Sequence, residues 1–168
     1  MDKEEIKTVI IDAFKDVQLG SGVSLKQAEA IDSYCEGVSE RDFMNLPRNE
    51  ITDNWQKIDM ATLEELPYLA HLDDKGFRYY IPAFMISVLE DYDHISMRVI
   101  CTLMSLCPKK DQYFESRIKF YSIFNDAQNK AIACFLTFLP EAVELAVSED
   151  REVEKSLVNY WEKFVPEK

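Results

Sequence analysis

The sequence predicts a mainly α protein, an irregular multi-helix bundle with one minor β-hairpin near residues 68–80. Three observations carry that expectation. Apolar residues recur at three- and four-residue spacing near both ends of the chain, the period of a helix with one buried face. Two stretches open on reciprocal capping signals, Ser24 with Gln27 and Asn125 with Gln128. The chain of 168 residues is 47% hydrophobic, with ten Phe, eight Tyr and two Trp and no internal repeat. A chain of about 150 residues buries roughly 70% of its unfolded surface, so residues 1–168 are expected to form a single domain with one sizeable core.

In chain order, Ile6, Val9, Ile10, Ala13, Phe14 and Val17 predict a first helix over residues 3–17, which Gly20-Ser21-Gly22 ends. Ser24 and Gln27 start a second helix with Leu25, Ala28, Ile31 and Cys35 inward, and Gly37 stops it. Pro47 and Pro67 restrict residues 39–72 to short helical turns, anchored by Trp55, Ile58, Leu63, Leu66 and Leu69. Asp73-Asp74-Lys75-Gly76 reads as a turn, so Phe77 to Tyr80 is expected to be one strand of the hairpin. Pro82 has no N–H and a helical φ, which suits the first helical position, and the almost wholly apolar residues 83–89 follow as a core helix. Residues 95–106 satisfy both the helix and the strand period, with helix preferred. Asn125 and Gln128 open a central helix, apolar on most of its circumference over 127–139, which Pro140 kinks or restarts. Val153, Leu157, Val158, Trp161 and Phe164 form the inner stripe of a closing helix, opposite Glu152, Lys155, Glu162 and Lys163.

Nineteen basic against 31 acidic side chains give a formal charge of −12. Such a chain repels phosphate backbones and anionic membrane surfaces, so neither nucleic acid nor membrane is an expected partner, whereas a more basic protein is. The start of the chain is charged, and the longest apolar run, residues 131–139, is far shorter than the ~20 residues of a membrane span, which predicts a soluble, cytoplasmic protein. Cys35, Cys101, Cys107 and Cys134 form no C-x-x-C pair and sit among apolar neighbours, as buried thiols do. A zinc site or disulfide framework is not expected, although a Cys101–Cys107 pairing stays open. There is no G-x-S-x-G, no phosphate-binding G-x-x-x-x-G-K and no G-x-G-x-x-G.

The segment Gly76-Phe77-Arg78-Tyr79-Tyr80-Ile81-Pro82-Ala83-Phe84, Arg117 with Phe120 and Phe124, and Gln128 with Ala131, Ile132, Phe135 and Leu136 resemble the landmarks of an uncharacterised bacterial family with a G-F-R-Y-Y-[IL]-P-A core. The early runs Ile11-Asp12-Ala13-Phe14, Gly22-Val23-Ser24-Leu25 and Ala28-Glu29-Ala30-Ile31-Asp32 are similar to its N-terminus. The likeness spans most of the chain. It implies a bacterial, single-domain, cytosolic protein and no particular activity.

Several residues can carry chemistry. Arg78 stands before a helix start that lacks a polar cap, where a guanidinium and free N–H groups suit a carboxylate or phosphate; it can equally hold an internal acid such as Asp73 or Asp91. Tyr79, Tyr80, Trp55 and Phe77 can line a ligand pocket or simply the core. Arg117, a landmark of the resemblance, joins Arg78, Tyr79, Tyr80 and Trp55 as a candidate ligand-binding residue. His71 lies near Asp73 and Asp74, and His94 near Asp91 and Asp93, but their spacing matches no metal template, and no metal or cofactor is expected.

Three readings follow. The first is a non-catalytic interaction protein, an immunity-like or regulatory partner of another protein. The second is a binder of a small anionic ligand centred on Arg78 and the tyrosines. The third is a hydrolase-like enzyme using His94 or His71 with nearby carboxylates, which needs an imidazole within about 3 Å of an acid in a cleft.

Overall fold

The computed structural model describes residues 1–33, 42, 45–48 and 50–165. Among them are eight α-helices: α1 Lys3–Phe14, α2 Leu25–Ser33, α3 Met60–Glu65, α4 Asp74–Glu90, α5 Met97–Leu106, α6 Phe114–Phe120, α7 Asp126–Ala142 and α8 Val147–Asn159. Short 3₁₀ turns stand at Trp55–Lys57, Leu69–His71, Tyr121–Ile123 and Trp161–Phe164. The protein is mainly helical, and the described residues contain no strand.

The absent strand corrects the expected hairpin at residues 68–80. Asp73 is the N-cap of α4, its carboxylate accepting from the Gly76 N–H at 2.8 Å, so the acidic tetrapeptide starts a helix instead of turning a strand. Phe77 to Tyr80 are helical, and Pro82 lies inside α4 instead of opening it. Pro82 cannot donate to the carbonyl of Arg78, four residues back, but eight helical residues precede the proline and burial on both sides holds the helix through it. The same Asp73 oxygen accepts from the Val23 N–H at 2.8 Å, tying the loop after α1 to the first turn of α4. That contact requires glycine: a Cβ on Gly22 would lie 2.8 Å from the Gly76 nitrogen, and one on Gly76 would run into the Val23 carbonyl. Arg48 closes the same loop by donating to the Gly20 and Gly22 carbonyls at 2.8 and 2.7 Å.

α4 is the centre of the molecule, with twelve of its seventeen residues buried. α1 packs against α7, both contact α4, and α5 also packs on α4. One hydrophobic core runs from Ile6 through Phe84 and Phe135 to Trp161. Both expected capping boxes form: Ser24 and Gln27 exchange backbone–side-chain bonds of 3.2 and 2.9 Å, and Asn125 and Gln128 do so at 2.9 and 3.2 Å. Residues 97–106 are helical. The first helix ends at Phe14, three residues before the expected end, although Val17 remains buried. α7 continues two residues past Pro140. The closing helix breaks at Tyr160, so Trp161 enters the core from a 3₁₀ turn, donating its indole N–H to the Leu106 carbonyl at 2.7 Å, while Val158, expected inward, is 68% exposed. The inward placement of Cys35 and the helix stop at Gly37 fall outside the described residues.

Candidate functional site

The aromatic segment of α4 faces inward. Arg78, half-buried, donates from Nε to Gln128 Oε1 at 3.0 Å, and Gln128 also donates to the Ala13 carbonyl at 3.3 Å. The guanidinium therefore stands where α4 meets the start of α7 and the end of α1, and its observed partner is an amide instead of Asp73 or Asp91. Tyr80 is fully buried and donates to Glu50 Oε1 at 2.8 Å; Tyr79, also fully buried, packs edge-on against it at 4.9 Å between ring centres. Burial first, and neighbouring carboxylates second, push both phenols well above their ordinary range, so they stay protonated. Trp55 is buried and donates to the Phe14 carbonyl at 2.9 Å.

The histidines do not meet. His71 Nε2 lies 3.0 Å from Asp32 Oδ1, with its side chain about one-third exposed. His94 is exposed, its Nδ1 3.9 Å from Asp93. No group of three or more His, Cys, Asp or Glu among the described residues is arranged to hold a metal ion, and no helix among them is long and apolar enough to cross a membrane.

A groove of about 780 Å³ opens between α5, α6 and α8, with Leu72 and Phe77 contributing to its apolar lining. One wall is the stripe Ile100, Leu103 and Met104 on one face of α5, continued by Cys107, the residue that caps its C-terminal end. Ser116, Arg117 and Phe120 line it from α6, a helix in which no residue is fully buried. Ser148, Glu149 and Glu152 line it from α8. Of the candidate residues, Arg117 and His94 both reach this groove, whereas Arg78, Tyr79, Tyr80 and Trp55 do not line it. Its charges are partly paired. Arg117 Nη2 lies 3.1 Å from Asp111 Oδ2, Lys109 lies 3.6 Å from Glu152, and Glu149 accepts from the Tyr92 hydroxyl. Cys107 is free, and burial pushes its thiol up to about 12, against a smaller opposing effect of its hydrogen bond with Ser156. A thiol so poor in thiolate is no nucleophile at neutral pH.

Sequence reasoning passed over Arg98, which decides how α5 is turned. Its side chain is 2% exposed. Nε donates to Glu64 Oε2 at 3.0 Å, Nη1 to Ser87 Oγ at 3.1 Å, and Nη2 to the Asp91 carbonyl at 2.7 Å. Ser96 adds a 2.8 Å bond to the same Glu64 carboxylate. The only charged residue of α5 is thus drawn inside, next to buried Val99 and Thr102, and the opposite side of the helix carries Met97, Ile100, Cys101 and Met104. Met104 is 68% exposed, and Ile95, just before the helix, is 72% exposed. The available signal was the inverse pattern of Met97-Arg98-Val99-Ile100: a lone charge in phase with the residues that bury.

A family model for proteins of unknown function, DUF6714, matches residues 2–165. No curated protein and no solved structure matches the chain.

Proposed function

The chain belongs to the DUF6714 family, whose function is unknown, and we propose that it acts as a non-catalytic interaction protein that docks a partner on the outer face of α5 and the groove beside it. One observation carries this reading. In a chain with 30% charged residues, the water side of α5 bears none: Met97 and Met104 are more than half exposed on the face they share with half-buried Ile100 and Cys101, and Ile95 is exposed just before the helix. A surface of this kind costs solubility unless something covers it, and methionine suits surfaces that accommodate a partner. The charge of −12 adds long-range attraction for a more basic protein. The protein is proposed to serve as a regulatory or immunity-like partner in the bacterial cytoplasm.

Catalysis draws less support from the same surface, since the buried phenols and Cys107 hold their protons and the His71–Asp32 pair does not line the groove. A second reading, the anion binder expected around Arg78 and the tyrosines, finds its support elsewhere: those residues do not line the groove, whereas Arg117, Lys109 and His94 do, and a thermal-shift screen of anionic metabolites tests it. The leading reading is tested by affinity purification from the native host over a range of salt. One partner is expected with the wild type, weakened by salt and lost with Met104→Glu. Failure to recover a reproducible partner at any salt, or equal recovery by the variant, contradicts it.

A further inference from the structure

We infer that the groove of α5, α6 and α8 takes a small amphiphilic anion, an apolar body ending in one carboxylate, an inference that rests on the anion-binding reading and names its ligand class. The floor selects the body. Leu69, Leu72, Phe77, Leu103, Cys107 and Tyr121 line it, and each is 7% exposed or less. Its polar atoms are already engaged: the Tyr121 hydroxyl donates to the Ser105 carbonyl at 2.6 Å, and the protonated Cys107 thiol is hydrogen-bonded with Ser156. A polar body would give up its water here and gain no partner, whereas an apolar body has no such loss. The volume of about 780 Å³ lies within the ~300–1,000 Å³ of pockets that enclose small molecules.

The rim selects the charge. Residues 108–120, which join α5 to α6 and form α6, carry Lys109, Lys110, Arg117 and Lys119 against Asp111 and Glu115. This wall is therefore locally positive in a chain of net charge −12. Lys109 and Arg117 line the groove and flank one turn, because the Asp111 N–H donates to the Lys109 carbonyl at 2.8 Å and the Asp111 carboxylate accepts from Arg117 at 3.1 Å. Neither cation is used up. Arg117 reaches Asp111 through Nη2 alone, and among the described residues its Nε and Nη1 have no acceptor. Asp111 is itself held by the Tyr113 N–H at 2.8 Å. Lys109 Nζ stands 3.6 Å from Glu152, longer than a hydrogen bond, and that carboxylate is shared with Lys155 at 3.7 Å. The other acid of the lining, Glu149, accepts from the Tyr92 hydroxyl and the Ala146 N–H. An incoming carboxylate thus meets free N–H groups on a guanidinium whose planar fork matches it, with a lysine on the same turn, while its apolar body lies on the floor.

The test uses the full chain with ¹³C-methyl methionine at about pH 7.5, where a carboxylate is ionised. It is titrated with octanoate, and with octanol, octylammonium and acetate as controls of body, charge sign and head, all below their micelle concentrations. The Met104 methyl reports the groove; Met60, on a separate cavity between α1, α3 and α4, and fully buried Met85 are the internal controls. Octanoate is expected to shift Met104 and spare Met60 and Met85, and to bind at least about tenfold more tightly than octanol or octylammonium, with acetate unbound. Arg117→Met and Lys109→Met keep the stems and should each weaken octanoate about fivefold or more, leaving octanol binding unchanged and the thermal midpoint little moved, because each breaks only a partly exposed ion pair. Equal binding of octanol, preference for octylammonium, no shift at Met104 or an equal shift at Met60 overturns the inference. So does undiminished octanoate binding by both variants. Sedimentation of the chain as a dimer that broadens Met104 and excludes octanoate assigns the groove to a second copy and overturns it too. If the thermal-shift screen finds a stabilising anion while octanoate leaves Met104 unmoved, the amphiphile class falls and the anion reading stands; if neither binds, both fall.

Discussion

Replacing Arg98 with alanine tests the feature that turns the apolar side of α5 toward water. The wild-type guanidinium makes hydrogen bonds of 3.0, 3.1 and 2.7 Å to Glu64, Ser87 and the Asp91 carbonyl, and its stem is buried. Three partners do not lose equally. Glu64 is 49% exposed and can take water, and Ser87 keeps its bond to the Phe84 carbonyl at 2.7 Å, so no buried charge is stranded. The loss is then the charge-assisted bonds, about 1.5–3 kcal/mol in total once water replaces part of them, plus the cavity left by the stem, about 1–2 kcal/mol. A destabilisation of about 2.5–5 kcal/mol follows, a fall in the thermal midpoint of roughly 5–20 °C for a domain of this size. Arg98→Met keeps the stem and should lose about half as much, whereas Arg98→Lys loses the fork and should recover little. Urea unfolding with a two-state fit gives both midpoint and slope. A loss below about 1 kcal/mol for Arg98→Ala at unchanged slope would refute the clamp and with it the reason that α5 presents methionines to solvent.

Other expectations follow from the same contacts. Phe84, fully buried at the centre of α4, should cost about 3–5 kcal/mol when truncated to alanine, again by urea unfolding; a loss below 1 kcal/mol would place α4 at the surface. Gly76→Ala should destabilise as well, because its Cβ meets the Val23 carbonyl, and should raise amide exchange in residues 20–24 before the rest of the chain; unchanged exchange there speaks against the tie. Tyr80 and Tyr121 bind their protons more tightly folded than unfolded, since burial raises both. Unfolding therefore releases protons above pH 10, and stability should be intact below the ordinary phenol pKa and fall by about 1.4 kcal/mol per pH unit per tyrosine above it, until the folded phenols ionise. A flat stability profile from pH 9 to 11 would contradict their burial. Cys107, with its thiol pushed up to about 12, should react with iodoacetamide at pH 8 about a thousandfold more slowly in the native protein than in urea, as read by site-resolved mass spectrometry.

The parts of the fold legible in the sequence are those specified locally. Ser24 with Gln27 and Asn125 with Gln128 mark true helix starts because each capping box is closed within four residues. The start of α4 is not legible locally, because Asp73 and Gly76 serve a β-turn and a helix N-cap by the same bond, a carboxylate accepting an N–H three residues on. What separates the two lies elsewhere in the chain, in the Val23 N–H that also binds Asp73 and in the packing that carries α4 through Pro82. Arg98 is illegible for the same reason, since its carboxylate partner, Glu64, lies 34 residues away. The groove draws on α4, α5, α6 and α8, so only its convergent positions reveal it; Arg117 and His94 were singled out from the sequence, but nothing there joined them to Ile100 and Met104.

The most direct test of a docking face on α5 is a photo-cross-linking residue at position 104, compared in the native host with one at Lys15, which is 57% exposed and remote in sequence. The account predicts a single abundant adduct from position 104, to a protein of positive net charge, weakened by Ile100→Glu and absent from position 15. Identical adduct patterns at the two positions, or no adduct at 104 under conditions in which 15 reacts, would contradict it.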